Sequence, residues 1–201
     1  MTRWYRKKKK EHFYKKAKKE GYRARSAFKL KQIQKKFKVI KKGDYVLDLG
    51  AAPGGWSQVA LEETGEEGKV IGVDLSYIKP LNDVTFIRED ITEEDTLEKI
   101  RNEGVEEVDV IISDMSPDIT GNYSMDQARS VYLCLKAVEI ADSLLKKDGC
   151  FVCKVFEGED IDQILKEVQD RFSRVNRFHP SASRKSSSEV YIIAKGYAGK
   201  D

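Results

Sequence analysis

The chain has 201 residues, a length that one hydrophobic core serves and that leaves little room for a second full domain. Its residues are 40% hydrophobic and 35% charged, which excludes a disordered polyelectrolyte, and no uninterrupted apolar run reaches the roughly 18–20 residues that span a bilayer. The opening MTRWYRKKKKEHFYKKAKKE lacks the apolar centre of a secretory signal, so a soluble, cytoplasmic protein is expected.

Charge is divided unevenly. Residues 1–42 hold 19 Lys and Arg against two acids, Glu11 and Glu20, a balance of +17 that leaves −14 for the remainder. Trp4, Tyr5, Phe13, Tyr14 and Tyr22 are interleaved with these charges. A solvated basic helix carries such a charge run too, and an anionic membrane would attract it. The interleaved aromatics favour nucleic acid, where bases or riboses pack beside phosphate contacts. Residues 1–20 are therefore read as a basic extension and 21–201 as the folded domain.

Beyond the extension, Phe28, Ile33 and Phe37 fall near one helical stripe of Ser26–Phe37, with Lys and Gln elsewhere. Tyr45–Leu49 reads as a buried strand that Gly50-Ala-Ala-Pro-Gly-Gly55 turns into a helix beginning near Trp56. Further strands are expected at Val70–Asp74, Val84–Ile87, Val108–Ser113, Phe151–Val155, Val175–Phe178 and Val190–Ala194. Helical spacing joins Ala128, Val131, Tyr132, Leu135 and Val138, and again Ile161, Ile164, Leu165, Val168 and Phe172. The alternation implies an α/β fold whose mainly parallel, seven-stranded sheet is covered on both faces. The last two strands are joined only by the basic, serine-rich loop 179–188, so they form an antiparallel pair at an edge.

Cys134, Cys150 and Cys153 are too few for a disulfide framework. Cys150 and Cys153 form a C-x-x-C, but on a strand residues three apart face opposite ways, so core thiols are expected and not a zinc site. His12 and His179 fit no metal or serine-triad pattern. No metal is expected.

In an open α/β sheet, ligands bind at the carboxyl ends of the strands. There the sequence offers the glycine turn after the first strand, then Asp74, Asp90 and Asp114 at or just after the next three. Asp74 is placed to accept ribose hydroxyls; capping a helix is the plainer role open to Asp74 and Asp90. Gly50, Gly54 and Gly55 do not follow G-x-G-x-x-G, and no basic side chain lies within 43–68 to assist a phosphate. A zwitterionic, sulfonium-bearing nucleoside such as S-adenosylmethionine suits this acidic rim better than a dinucleotide.

Four segments now bear on family. Asp48-Leu-Gly-Ala-Ala-Pro-Gly-Gly-Trp-Ser-Gln58, Ser113-Asp-Met-Ser-Pro117, Cys153-Lys-Val-Phe156 and Ser188-Glu-Val-Tyr191 resemble the FtsJ/RrmJ family of S-adenosylmethionine-dependent RNA ribose 2′-O-methyltransferases, over about Tyr22 to Tyr197. The resemblance implies a Rossmann-like methyltransferase sheet and a catalytic tetrad falling on Lys29, Asp114, Lys154 and Glu189. It implies cofactor contacts at Gly54 and Trp56, at Asp74 for the ribose, at Asp90 near the adenine and at Asp114 near the methionine amine. Gly50, Ala51 and Pro53 would shape the turn. The implied substrate is a uridine in large-subunit ribosomal RNA, with a transfer RNA, or a non-catalytic role in ribosome assembly, as alternatives. No DNA or membrane partner is expected, and the chain is expected to act as a monomer.

The chemistry asks for such residues. A ribose hydroxyl must lose its proton as it attacks the sulfonium methyl, and a lysine, ordinarily of pKa ~10.4, becomes a base when burial or a nearby cation lowers that value. Lys154, in the apolar run Cys-Phe-Val-Cys-Lys-Val-Phe, is costly there unless it reaches a cleft or partner. Two roles are open to it: direct base, or orienting group with the proton passing later to water. Lys29 would hold the target phosphate or ribose, Asp114 would orient ammonium groups, and Glu189 would position the hydroxyl or fix a lysine. Taken alone, Lys29 reads as a solvated helical lysine and Glu189 as an edge-strand charge.

Overall fold

The computed structural model describes residues 3–93, 95–184 and 187–199, with side chains from residue 12 onward. Trp4, Tyr5 and Lys7–Lys10 of the basic extension therefore lie outside the described side chains. Seven strands alternate with helices: α1 (Arg3–Glu20), α2 (Ala27–Phe37), β1 (Tyr45–Leu49), α3 (Gly55–Thr64), β2 (Lys69–Asp74), β3 (Val84–Arg88), α4 (Thr96–Asn102), β4 (Val108–Ser113), α5 (Tyr123–Leu144), β5 (Leu145–Phe156), α6 (Ile161–Gln169), β6 (Phe172–Phe178) and β7 (Glu189–Tyr197). All seven expected strands form.

The sheet order is β3-β2-β1-β4-β5-β7-β6. β1 to β5 pair in parallel, and β7 runs antiparallel to both β5 and β6. The expected antiparallel pair thus sits at an edge, with the reversed strand β7 one place in. Strand order reverses where β1 meets β4, which opens a crevice beyond their carboxyl ends.

Period-two alternation sorts the strand side chains between two cores. Leu47, Leu49, Ile71, Ile111, Phe151, Cys153 and Ile192 face the layer containing α5 and α6. Val46, Val70, Ile112, Cys150, Val152, Tyr191 and Ile193 face the layer of α1, α2 and α3. Cys150 and Cys153 fall in different cores, as their spacing requires, and all three cysteines are buried and free.

α2 buries Ala27, Phe28, Leu30 and Ile33 against the second core. The basic extension is not detached over its last turns: Ala17 is buried in this same core, and Phe13 packs on Phe28 with ring centroids 5.6 Å apart.

Two helical stripes differ from the sequence reading. α5 buries Gln127, Ser130, Val131, Cys134 and Ala137, whereas Tyr132 is exposed and Leu135 only half-buried. Small and polar side chains share that buried face with Val131 and Val138, and the large Tyr132 turns outward. Phe172 begins β6 and does not continue α6; its ring packs on Phe151 and Tyr197. Among the described residues no helix is long and apolar enough to cross a membrane.

Candidate active site

Strand parity brings the site together. Val110 and Ile112, Cys150 and Val152, and Tyr191 and Ile193 all face the layer of α2. By the same alternation Asp114, Lys154 and Glu189 emerge on that face at the carboxyl rim, and α2 crosses it carrying Lys29. The register completes the arrangement, with Ser113 opposite Cys153, Lys154 opposite Tyr191 and Phe156 opposite Glu189.

The four side chains form one charge-balanced cluster. Lys29 Nζ lies 2.7 Å from Glu189 Oε1 and 3.7 Å from Asp114 Oδ1, and it donates to the Tyr191 hydroxyl at 3.0 Å. Lys154 Nζ donates to the main-chain oxygen of Asp114 at 2.7 Å and lies 3.2 Å from Asp114 Oδ1. Lys29 is 6% exposed and Lys154 7%, so each would be costly without these partners. An ammonium has three N–H donors. Lys29 makes two contacts within hydrogen-bond reach and a longer one, at 3.7 Å, to Asp114 Oδ1, whereas both close neighbours of Lys154 belong to Asp114.

Tyr191 closes the Ser188-Glu-Val-Tyr191 motif, where the sequence gives it no role. Its buried hydroxyl donates to Asp114 Oδ1 at 2.6 Å while accepting from Lys29. Burial, then the carboxylates of Asp114 and Glu189, push its pKa well above 10, so it stays a fixed donor. Burial would raise the pKa of Glu189, but Lys29, with help from Ser183 and Lys154, outweighs burial and lowers it. Glu189 is held as the carboxylate.

The glycine turn occupies the β1 side of the crevice. The amides of Gly50 and Ala51 donate to Val73 O, and Gly50 has φ 75° with Met115 so near that a Cβ would approach Met115 Cγ to 2.5 Å. No other residue fits there. Gly54, at φ 104°, caps α3. The first-turn amides of a helix lack partners within it, so those of Gly55 and Trp56 face the rim. Trp56 can offer a ligand only this main chain, because its indole is buried, donates to Ser26 O at 2.9 Å and packs 5.7 Å from Tyr191.

Beneath the turn, Asp48 is fully buried and accepts from Ser57 Oγ at 2.6 Å, with Oδ1 unpartnered. Burial, opposed by Ser57 and aided by Asp114 and Asp74, pushes its pKa up to about 7.

Asp74 closes the second strand. Its Oδ2 accepts from the Ala52 amide at 2.9 Å and Oδ1 from the Ser76 amide at 2.7 Å, which fixes the carboxylate plane and leaves a lone pair on each oxygen for a diol. Asp90 lies farther along the rim, where Oδ1 accepts from the amide and hydroxyl of Thr92. This turn holds Asp90 in its loop; it caps no helix.

Arg23 also escaped the sequence reading. Its guanidinium donates to the carbonyls of Pro53 at 3.3 Å, Lys79 at 2.6 Å and Pro80 at 2.7 Å, tying the glycine turn to the β2–β3 loop on either side of Asp74. No periodicity could have revealed it, since its partners are main-chain oxygens far along the chain.

The rim therefore offers a fixed carboxylate for a diol, amide donors, further acids suited to a cationic ligand, and a separate ammonium–carboxylate cluster. Comparison with known proteins places the chain in a family. Residues 22–197 match the model for FtsJ-like methyltransferases. A Methanobrevibacter smithii protein named ribosomal RNA large subunit methyltransferase E is 47% identical over 201 residues, spanning 99% of this chain and 96% of its own. Its namesake in Halorubrum lacusprofundi is 52% identical over 190 residues, spanning 93% of this chain and 71% of its own. The crystal structure of a ribosomal RNA methyltransferase from Plasmodium falciparum superposes with a TM-score of 0.82 at 28% identity, over 89% of this chain and 100% of that one. Motifs, sheet and rim thus lead to one assignment: the chain belongs to the FtsJ-like methyltransferase family.

Proposed function

We propose that this protein transfers a methyl group from S-adenosylmethionine to a ribose 2′-hydroxyl of large-subunit ribosomal RNA, with a uridine as target. The observation that carries the reading is the buried Lys29–Asp114–Lys154–Glu189 cluster, in which Lys29 lies between the Glu189 and Asp114 carboxylates and Lys154 lies against Asp114.

Asp74 would hold the cofactor ribose, the amides at Gly54 to Trp56 its carboxylate end, Asp90 its adenine side and Asp114 its amine. When bound, the cofactor supplies an electrophilic methyl on a positively charged sulfur. Lys154 Nζ, as the neutral amine, would accept the proton of the attacking 2′-hydroxyl while that oxygen takes the methyl group and the carbon–sulfur bond breaks. Lys29 holds the target ribose or its phosphate while Glu189 and Tyr191 keep its ammonium in place, and Asp114 orients both lysines. Fixing both reactants at one rim supplies much of the acceleration, since correct alignment replaces a bimolecular encounter. The protein acts as a monomer in the cytoplasm, where its ribosomal substrate is found.

The test is transfer of a radiolabelled methyl group to ribosomal RNA and transfer RNA in parallel, followed by alkaline hydrolysis. Label in an alkali-resistant dinucleotide from large-subunit RNA is expected. Label confined to transfer RNA would move the substrate and keep the chemistry; alkali-labile product would overturn ribose methylation.

A further inference from the structure

The outward side of α2 carries a feature that methyl transfer does not use. Between α1 and α2 lies an open groove of about 750 Å³, floored by Phe13, Phe28 and Ile40 and edged by Lys16, Lys31, Lys35, Lys38 and Lys41 against two acids, Glu20 and Glu63. Both acids are engaged: Glu20 lies 3.7 Å from Lys16, and Glu63 accepts from Gln34 Nε2 at 3.1 Å. Lys31 is spent on Tyr22 and on Glu62 at 3.4 Å. Lys35, Lys38 and Lys41 are exposed and form no ion pair with any described residue.

We propose that this groove binds an unpaired strand of the RNA substrate, away from the target nucleotide. The inference rests on the RNA reading above and adds a second contact surface to it. Three free ammonium groups along one edge match a phosphodiester backbone, and the apolar floor, with Phe13 half-buried, matches the face of a base or ribose. A duplex hides its base faces and would leave that floor uncovered.

Helix geometry links the groove to the reaction centre. At about 100° per residue, Lys31 and Lys35 lie roughly 200–240° round the axis from Lys29, and at ~1.5 Å per residue Lys35 stands about 9 Å along from it, with Lys38 capping the helix beyond. A strand in the groove and a ribose at the tetrad would therefore grip opposite sides of one rigid helix. Such a contact acts on substrate and transition state alike, so its loss raises KM and spares kcat.

The test uses the full chain with Lys35→Gln, Lys38→Gln and Lys41→Gln combined, and a labelled oligouridylate of about twelve nucleotides beside a duplex of the same length. Loss of three phosphate contacts lowers the slope of log Kd against log salt by about 2 for a single strand. We expect oligouridylate binding to weaken about tenfold at ~0.15 M salt, S-adenosylmethionine affinity to stay unchanged, and Lys166→Gln on α6 to have no effect. Phe13→Ala should weaken single-strand binding with the salt slope intact and leave the duplex unaffected. An unaltered salt slope in the triple variant overturns the proposal and leaves the groove to an acidic protein segment. An equal effect of Phe13→Ala on both RNAs overturns the single-strand assignment. If the parent protein shows these RNA effects yet transfers no methyl group, the catalytic reading fails alone.

Discussion

The two sides of α2 put the same residue type to opposite uses. On the inner side Lys29 is buried, faces Glu189, Tyr191 and Asp114, and cannot move without stranding them. On the outer side Lys35 and Lys38 are exposed and free of ion pairs among the described residues. A lysine's surroundings thus set what it can do: the inner one is fixed among buried acceptors, and the outer ones present charge to solvent.

The comparison breaks most visibly at Lys29. Lys29→Ala leaves the Glu189 carboxylate buried without its cation, a change that costs about 3–5 kcal/mol when a buried pair loses one member. We expect methyl transfer to fall at least ~100-fold and the denaturation midpoint to drop, whereas Lys35→Ala should shift stability by no more than about 0.5 kcal/mol. Equal stability effects on the two sides would erase the distinction.

The cofactor side follows in size. Asp74→Ala removes the acceptor of two amide bonds and of the diol in the proposed cofactor pose, and hydrogen bonds to a charged group contribute ~1.5–3 kcal/mol each. S-adenosylmethionine affinity measured by calorimetry should weaken ~10–100-fold. Arg23→Ala should cost about tenfold in the same titration, because the glycine turn and the β2–β3 loop lose their common donor. Arg23→Lys should recover only part of this, since an ammonium cannot reproduce the guanidinium fork. A normal cofactor affinity in Arg23→Ala would reduce that residue to surface charge.

Asp48 gives a smaller effect, read as pH dependence. Its folded pKa of about 7 lies above the ordinary 3.8, so the folded state binds the extra proton between those values and stability falls as pH rises through that window. Below pH ~4 both states are protonated, and above pH ~7 the full loss, a few kcal/mol at most, has accrued. Asp48→Asn should flatten the slope of unfolding free energy between pH 4 and 7, measured by urea titration; an unchanged slope would place that proton elsewhere.

Much of this was legible in the chain. Apolar and β-branched runs located every strand, and parity alone puts Asp114, Lys154 and Glu189 on one face once the sheet is assumed. The glycine turn and the acids at successive strand ends located the rim. What stayed hidden depends on tertiary contact. Tyr191 reads as a core strand residue until α2 brings Lys29 beneath its hydroxyl. Arg23 binds carbonyls, which leave no trace in side-chain pattern. On α5 the expected stripe holds at Val131 and Val138, but close approach to the sheet favours Ser130, Cys134 and Ala137 over the larger Tyr132.

The most direct test of the central claim is single-turnover methyl transfer by Lys154→Ala, with RNA and S-adenosylmethionine saturating and cofactor affinity measured on the same preparation. The account predicts loss of transfer by ~10³-fold or more, within the range of general-base removal, with cofactor affinity within a few-fold of the parent. A folded Lys154→Ala protein that turns over within about tenfold of the parent would contradict it, since removal of a general base costs ~10²–10⁴-fold.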